Sequence, residues 1–472
     1  MCNKHRALEE TFVNLPRPTG HQRKVIYLPE QGHQVVLGSA GTGKTVMSIY
    51  RAKHLSQPGV RWSGRTLLVT SAKALAGHLQ DMARGAAGNL DVRTYGRFAW
   101  GYLHSRGLMR GQNIVKSRTR TSLVKQAIKA VSAHHPGHRL FEREVTWFGD
   151  ELSWITGMGF QEESAYLKAE RRIRARIPEN SRPIIWEILE HYRELRAERG
   201  YDFDWDDIAI TVREQLQDDD QERFYRHIVI DEGQDLSPEE IRSLADAVSP
   251  DGSVTFFGDY AQQIYGQAMS WKSCGLKVKR VEKFQDNYRN STAIAKVALA
   301  LSSGPFFGES EDLVEPVAPK AAGPKPTLVK CADEREEIEI ARRIALRLSS
   351  EGTVAVIGRT WQETERVCQG LESQNIKQIS YSWNAPPGVY RSTYYSAKGL
   401  EFNSVIIPFC GDALMPSEKA LDSFGEEDAM AREAKLLYVA ITRAKSDLVI
   451  TYSGDRTRLL PSAPDLFAEV RP

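Results

Sequence analysis

The chain has 472 residues, 41% hydrophobic and 26% charged, with a formal net charge of +2. That composition excludes fibrous and disordered classes, and so small a charge leaves any nucleic-acid contact to local patches. Cys2, Cys274, Cys331, Cys368 and Cys410 are scattered without C-x-x-C spacing, which argues against a zinc site, an iron–sulfur cluster or a disulfide framework and for reduced thiols.

At the start, MCNKHRALEETF lacks the apolar stretch of a signal peptide. The longest apolar runs, such as VIIPF at 405–409, fall far short of the ~20 residues of a membrane span. A cytoplasmic location without a membrane partner is expected. Short β-rich runs follow at 34–37, 66–70, 227–230, 254–257, 353–357, 404–408 and 448–451. Several are apolar throughout, as parallel strands buried on both faces are. Their alternation with helical patterns predicts parallel sheets covered by helices. Between 106 and 212 strand signals fade and helical patterns dominate, as at 120–132 and 182–199. This predicts a helical insertion into the first α/β domain. The Pro/Gly-rich stretch 316–326 marks a loop or linker early in the second domain.

Directly after the first strand, Gly38-Ser39-Ala40-Gly41-Thr42-Gly43-Lys44-Thr45 fits G-x-x-x-x-G-K-[ST] and opens a helical pattern. Gly38, Gly41 and Gly43 let backbone N–H groups wrap the phosphates of ATP, at a helix N-terminus that adds positive charge. Lys44 can reach the β- and γ-phosphates, and the Thr45 hydroxyl can ligate Mg²⁺. Further on, the strand HIVI ends in Asp231-Glu232. Asp231 would hold Mg²⁺ and Glu232 would polarise the attacking water. Two acids at a strand end are often plain surface residues; the phosphate loop upstream favours the catalytic reading.

Four more segments join these: 258–265 (GDYAQQIY), Asn287-Tyr288-Arg289, 393–402 (TYYSAKGLEF) and 437–444 (LYVAITRA). With Asp231-Glu232-Gly233-Gln234-Asp235 and the phosphate loop, they resemble in order the motifs of superfamily 1A helicases, the UvrD/Rep group. The resemblance implies an α/β fold of two RecA-like P-loop domains with parallel sheets, plus a mainly helical insertion in the first. It places 1A at 1–105 and 213–282, inserted 1B at 106–212, and 2A at 283–472. The segment between Arg289 and Thr393 is too short for the long 2B insertion of full-size relatives, so 2B is expected to be reduced or absent. By the same resemblance Gln22 reads adenine, whose edges an amide can pair. Gln262 senses the γ-phosphate, Tyr288 stacks on adenine, Arg289 meets the γ-phosphate, Glu401 holds the ribose and Arg443 is the arginine finger. One such finger contributes about 10³–10⁵ in rate. If both arginines sit on the second domain, closure and hydrolysis become one event that can drive a step along a strand.

The chain departs from the family mostly on the DNA-facing side. Val46 replaces an arginine after the phosphate loop, the usual aromatic is missing from 69–73, the usual histidine from 94–98, Gln267 replaces an aromatic, and Tyr395 replaces a histidine. Single-strand motors stack bases on aromatic side chains. Tyr265, Trp271, Phe98 and Tyr395 could substitute, and each could equally be core. The basic run 168–176 (KAERRIRAR) could track a phosphate backbone or be a solvated helix face. Asp204, Asp206 and Asp207 read as structural or capping residues. No nuclease motif is evident.

The expected activity is ATP hydrolysis coupled to 3′→5′ translocation on single-stranded or tailed duplex DNA, with unwinding as an extension. The alternative is a DNA-sensing ATPase subunit of a nuclease-containing anti-phage complex, as compact UvrD-like proteins of systems such as Gabija look. Its partner would be a nuclease or another repair or defence protein. A non-hydrolysing nucleotide scaffold is opposed by Glu232 and Arg443.

Overall fold

The apolar runs assemble into two separate parallel sheets. The computed structural model describes residues 15–71, 73–83, 89–109, 113–170, 177–259, 271–278, 281–307, 321–378 and 385–472. In the first sheet, β1 (Gln34–Gly38), β2 (Thr66–Thr70), β3 (Leu90–Thr94), β4 (Tyr225–Ile230), β5 (Val248–Gly258) and β6 (Val281–Phe284) run in the order β3-β2-β4-β5-β1-β6. Every pairing is parallel, with Val36 beside Phe257 and Val69 beside Ile230.

Alternate residues of a strand face opposite sides of its sheet, and each side is covered. Val36, Leu68, Val229 and Phe257 pack against α1 (His21–Ile26), α2 (Lys44–Ser56) and α3 (Lys73–Ala83). After β3 the chain forms α4 (Tyr95–Ser105) and leaves the sheet for a helical body of α5 (Ser117–Ser132), α6 (Val145–Gly157), α7 (Glu163–Leu167) and α8 (Arg182–Glu198). It returns through α9 (Ile208–Gln217) and, beyond β4, α10 (Pro238–Asp246). Val35, Leu67, Ile228 and Phe256 pack on α4, α9 and α10.

The helical body has its own core of Leu123, Phe148, Leu152, Ile185 and Leu189 around Tyr166 and Trp186. Its two connections run side by side through the parallel bridge Ile114–Phe203. There Arg120 donates to Asp204 at 2.7 Å and to Asp206 at 2.6 Å, while Arg196 pairs with Asp207. The backbone N–H of Asp204 donates to Asp207 Oδ1 at 2.8 Å. These three carboxylates therefore lock the return of the chain, consistent with the structural reading of that acidic segment. Of the basic run, 171–176 lies outside the described residues.

The second sheet contains β7 (Thr327–Cys331), β8 (Thr353–Gly358), β9 (Ser373–Asn375), β10 (Gly388–Thr393), β11 (Phe402–Ile407), β12 (Ala444–Ser453) and β13 (Ala468–Val470). Its order is β13-β7-β12-β11-β8-β10-β9, again parallel throughout. Ala355, Ile357, Val405, Ile407 and Ile450 face α11 (Thr292–Ser302) and α15 (Glu426–Ile441), the latter preceded by α14 (Glu418–Phe424). Val354, Val356, Ile406 and Val449 face α12 (Glu334–Leu348) and α13 (Trp361–Cys368). Burial of each large aliphatic side chain contributes about 1.5–3 kcal/mol. Helix ends are set locally. Asp333 accepts from the Glu336 N–H, glutamates fill the first turn of α12 and Arg347 its last, complementing the helix dipole. Thr360 and Glu363 form a capping box on α13.

All seven strands expected from sequence are present. Missed were β3, β6, β9 and β13, which lie at sheet edges or beside one strand only where polar residues are tolerated, and the mixed-polarity β7 and β10. Among the described residues, no helix is long and apolar enough to cross a membrane.

Candidate nucleotide site between the two sheets

The phosphate loop leaves the carboxyl end of β1 and feeds α2. Gly41 and Gly43 adopt φ of 78° and 82°, the left-handed region that glycine enters without a Cβ penalty. Lys44 is buried and donates to the carbonyl oxygens of Gly38 and Ser39, both at 2.8 Å, and to Asp259 Oδ2 at 3.5 Å. Asp259 follows β5, the strand between β1 and β4. The Gln22 side chain sits on the same loop, donating to the Thr42 carbonyl at 3.1 Å while its own oxygen accepts from the Thr19 N–H at 3.0 Å.

Asp231 and Glu232 follow β4, and Glu232 is itself left-handed, with φ 52°. Among the described residues neither Asp231 carboxylate oxygen has a hydrogen-bond partner, though both are buried. Burial, then the charge of Glu232, pushes the Asp231 carboxyl up to about 7, against the downward pull of the nearby Thr45 and Ser48 hydroxyls and Lys44. Glu232 goes the other way. Burial is the largest effect and raises it, but Lys44, the Gln234 amide, Arg443 and Lys398 together outweigh it and hold Glu232 below the usual carboxylate range. Gln234 donates to Glu232 Oε2 at 2.6 Å and accepts from the Asp259 N–H at 2.8 Å. One acid of the pair thus favours its proton and the other its charge, a divergence typical of working sites.

The second sheet closes directly on this loop. The Tyr288 N–H donates to the Gly41 carbonyl at 2.8 Å. A Cβ at Gly41 would lie 2.3 Å from Asn287 Oδ1 and 2.9 Å from Arg289 Cβ. Ala40, in the middle of the phosphate loop, belongs to the apolar cluster of the second sheet, with Tyr438 of α15. Lys398 forms an ion pair with Asp235 across the same boundary. Arg289 donates to Glu401 at 2.7 Å, and Lys445 pairs with the other Glu401 oxygen at 2.6 Å. Burial raises Glu401, but Arg289 and Lys445 more than offset it, so its carboxyl is lowered.

Arg443 is 1% exposed and follows α15. It donates to the carbonyls of Val439 at 2.9 Å and Leu400 at 3.3 Å and to the Thr442 hydroxyl. Burial, then Arg289, lowers it to about 10, while Glu232, Asp259 and Glu401 push back. Glu232 and Asp259 belong to the first sheet, so the Arg443 charge acts across the cleft.

Lys44, Thr45, Asp231, Glu232, Gln22, Tyr288, Arg289, Glu401 and Arg443 are thereby gathered around one loop. Gln262 and Tyr265 lie outside the described residues. Of the candidate stacking aromatics, Phe98 and Trp271 are 5% and 9% exposed and belong to the first sheet's core; they pack rather than face a strand. Tyr395 is 50% exposed. Sequence reasoning gave no role to Asn290. Its side-chain amide donates to the carbonyls of Thr442 and Ala444, on either side of Arg443, at 3.2 and 2.6 Å. Its Oδ1 accepts from Asn287 at 2.9 Å. Its position directly after Tyr288-Arg289 was the available signal.

Residues 19–278 match the UvrD/REP helicase N-terminal domain family and residues 382–455 the UvrD-like helicase C-terminal domain family. The ATP-dependent DNA helicase UvrD2 of Mycobacterium tuberculosis is 23% identical over a 565-residue alignment covering 92% of this chain and 78% of that protein. DNA helicase II of Rickettsia typhi is 40% identical over 78 residues, 16% of this chain and 12% of that protein. A solved C-terminal domain of a possible DNA helicase from Lactobacillus overlays with a TM-score of 0.27 at 22% identity, covering 39% of this chain and 98% of that one.

Proposed function

The chain belongs to the UvrD/REP family of ATP-dependent DNA helicases, and from that premise we propose that it couples ATP hydrolysis in the cleft to 3′→5′ translocation on single-stranded DNA. The observation that carries this reading is the shared loop: Gly41 touches the Asn287–Arg289 turn, so a triphosphate held by the loop faces the cations of the second sheet. In this reading residues 1–105 and 213–282 form 1A, 106–212 form 1B, and 283–472 form 2A. Lys44 binds the β- and γ-phosphates, Gln22 and Tyr288 hold adenine, and Glu401 faces the ribose once Arg289 turns to the γ-phosphate. Glu232, kept charged by its neighbours, accepts the proton of the attacking water. Arg289 and Arg443 neutralise charge that builds on the transferred group. Gln262 is assigned the γ-phosphate sensor role.

The donor set fits Mg²⁺. Asp231 offers two buried oxygens that make no hydrogen bond among the described residues although the Thr45 and Ser48 hydroxyls are near, and Thr45 would add its hydroxyl; hard cations take oxygen ligands of this kind. When bound, Mg²⁺ would supply positive charge that offsets the charge of the triphosphate. The proposed setting is the cytoplasm, with single-stranded or tailed duplex DNA as the track.

A second reading is favoured by one observation. Every described element between Arg289 and Thr393 packs within the second sheet and its helices, which supports a reduced 2B. In the family 2B helps regulate unwinding. A chain built this way suits a DNA-sensing ATPase that works with a partner nuclease in defence.

The test is ATP hydrolysis with and without single-stranded DNA, then unwinding of a 3′-tailed duplex. DNA-stimulated hydrolysis with unwinding supports the motor. Stimulation without unwinding, with nuclease activity gained from a co-purifying partner, supports the second reading. Lys44→Ala should abolish turnover, and wild-type turnover in that variant would refute the assigned site.

A further inference from the structure

Gln22 is carried by α1, a helix of six residues whose start no side chain caps. A helix that short does not sustain itself in water, so its neighbours hold it. Val25 and Ile26 share a buried apolar cluster with Val46, Met47, Ile49 and Tyr50 of α2. The Tyr50 hydroxyl donates to the Pro16 carbonyl at 3.3 Å, ahead of α1. Beyond α1, Glu30 Oε1 lies 3.2 Å from Nε2 of His54, also on α2.

Arg51, about two turns along α2 from Lys44, completes this hold. It is 0% exposed. Its Nη1 donates to the carbonyls of Ile26 at 3.0 Å and Leu28 at 2.7 Å, and its Nη2 to that of Pro29 at 2.7 Å. Its Nε donates to the Thr255 hydroxyl on β5 at 3.4 Å. Ile26 ends α1, and the last carbonyls of a helix have no partner inside it. These partners are neutral oxygens. Burial lowers the guanidinium to about 10 while the charge of Glu30 pushes it back, so it stays charged at neutral pH. Burying a cation is costly. A planar fork of donors is what lets one side chain serve three carbonyls at once.

The element held in this way sits on the phosphate loop with little room. Gln22 Nε2 is 3.1 Å from the Thr42 carbonyl, and a Cβ on Gly43 would come within 2.7 Å of that nitrogen. A small shift of α1 against α2 therefore moves the amide relative to a triphosphate bound at the start of α2. An amide meets the N–H donor and the ring-nitrogen acceptor of adenine, whereas guanine turns two acceptors toward it. We propose that Arg51 is the positioning residue for base recognition: by tying the end of α1 to α2 and β5 it sets the distance between the Gln22 amide and the phosphates, and with it the preference for adenine. The proposal rests on the reading of Gln22 as an adenine-binding residue. Being fully buried, Arg51 acts through Gln22 and not on the nucleotide.

The experiment measures kcat and KM for ATP and for GTP, with Mg²⁺ and oligo-dT present. Wild type, Gln22→Ala, Arg51→Met, Arg51→Lys and the double variant Gln22→Ala, Arg51→Met are compared. Arg51→Met should raise KM for ATP about tenfold, the scale of one lost hydrogen bond, with kcat and both constants for GTP little changed. Arg51→Lys keeps the charge but cannot span three carbonyls, and should fall between Arg51→Met and wild type. In the double variant the ATP-to-GTP ratio of kcat/KM should match that of Gln22→Ala alone, because both changes remove the same contact. An Arg51→Met protein that melts lower yet keeps the wild-type ratio overturns the proposal, and so does a double variant in which the two losses add. If Arg51→Met does not melt cooperatively, Arg51→Lys decides by the same ratio. A ratio left unchanged by Gln22→Ala removes Gln22 from adenine recognition, and the role of Arg51 with it.

Discussion

At Asp231 and Arg443 burial is the first cause that sets the charge state of a site residue. The Asp231 carboxyl is raised to about 7, with burial as the main cause. A raised carboxylic acid binds its proton more tightly folded than unfolded, so stability falls as pH rises from the unfolded value near 4 toward 7. Asp231→Asn removes that penalty. The substituted protein, without nucleotide or Mg²⁺, should melt higher than wild type above pH 7, and the difference should vanish toward pH 4. Melting scans across that range check it; a difference that grows on acidification contradicts the assignment. Arg443, held by the carbonyls of Val439 and Leu400, keeps its charge at neutral pH because its lowered value is still about 10. Arg443→Ala should cut single-turnover hydrolysis by about 10³–10⁵ while a fluorescent ATP analogue still binds. Hydrolysis within tenfold of wild type would remove Arg443 from the mechanism.

At the level of elements, the phosphate loop is as much a contact surface as a cradle. Gly41 needs φ 78° and has Asn287 Oδ1 2.3 Å from the place of a Cβ. Gly41→Ala meets both obstacles, with backbone strain alone costing about 1–3 kcal/mol. The expected result is a melting temperature lower by several degrees, with kcat lost because the Asn287–Arg289 turn no longer seats on the loop. Wild-type kcat and melting in Gly41→Ala would mean that the two elements are not held together as described. The loop, Asp231-Glu232, Tyr288-Arg289 and Arg443 were all legible as motifs, since each combines a fixed residue pattern with a strand or helix boundary. Asn290 was not. An asparagine has no periodic or charge signal, and its role comes only from carbonyls 152 and 154 positions away along the chain.

On the scale of the whole molecule, buried and half-buried ion pairs are among the contacts that join the parts. Lys398 and Asp235 form a cross-cleft pair, 8% and 13% exposed at the side chain. Asp150 and Arg432 join the helical body to α15. Removing one partner of a buried pair leaves the other charged and unpaired, which costs about 3–5 kcal/mol, whereas replacing both by apolar residues is often close to neutral. Lys398→Met should therefore lower the midpoint of chemical unfolding markedly, and the double substitution Lys398→Met, Asp235→Leu should recover most of the loss. Equal losses in the single and double variants would show that the pair does not bridge the cleft.

Sequence alone determined the parts whose physics is local. A glycine-rich loop between an apolar strand and a helix can serve few purposes besides holding phosphate, and continuous apolar runs of strand length must be buried on both faces. The seven central strands and the order of the motifs follow from such patterns. Tertiary structure decided which side chains face each other. Phe98 and Trp271 had the chemistry to stack on bases but were claimed by the first sheet's core. Trp205 had the same chemistry within an acidic segment, and only the Arg120 network and the bare face of Gly96 turn it outward. Burial and long-range contact are properties of the packed chain, so residues of one type divide between core and surface only once the helices have chosen their neighbours.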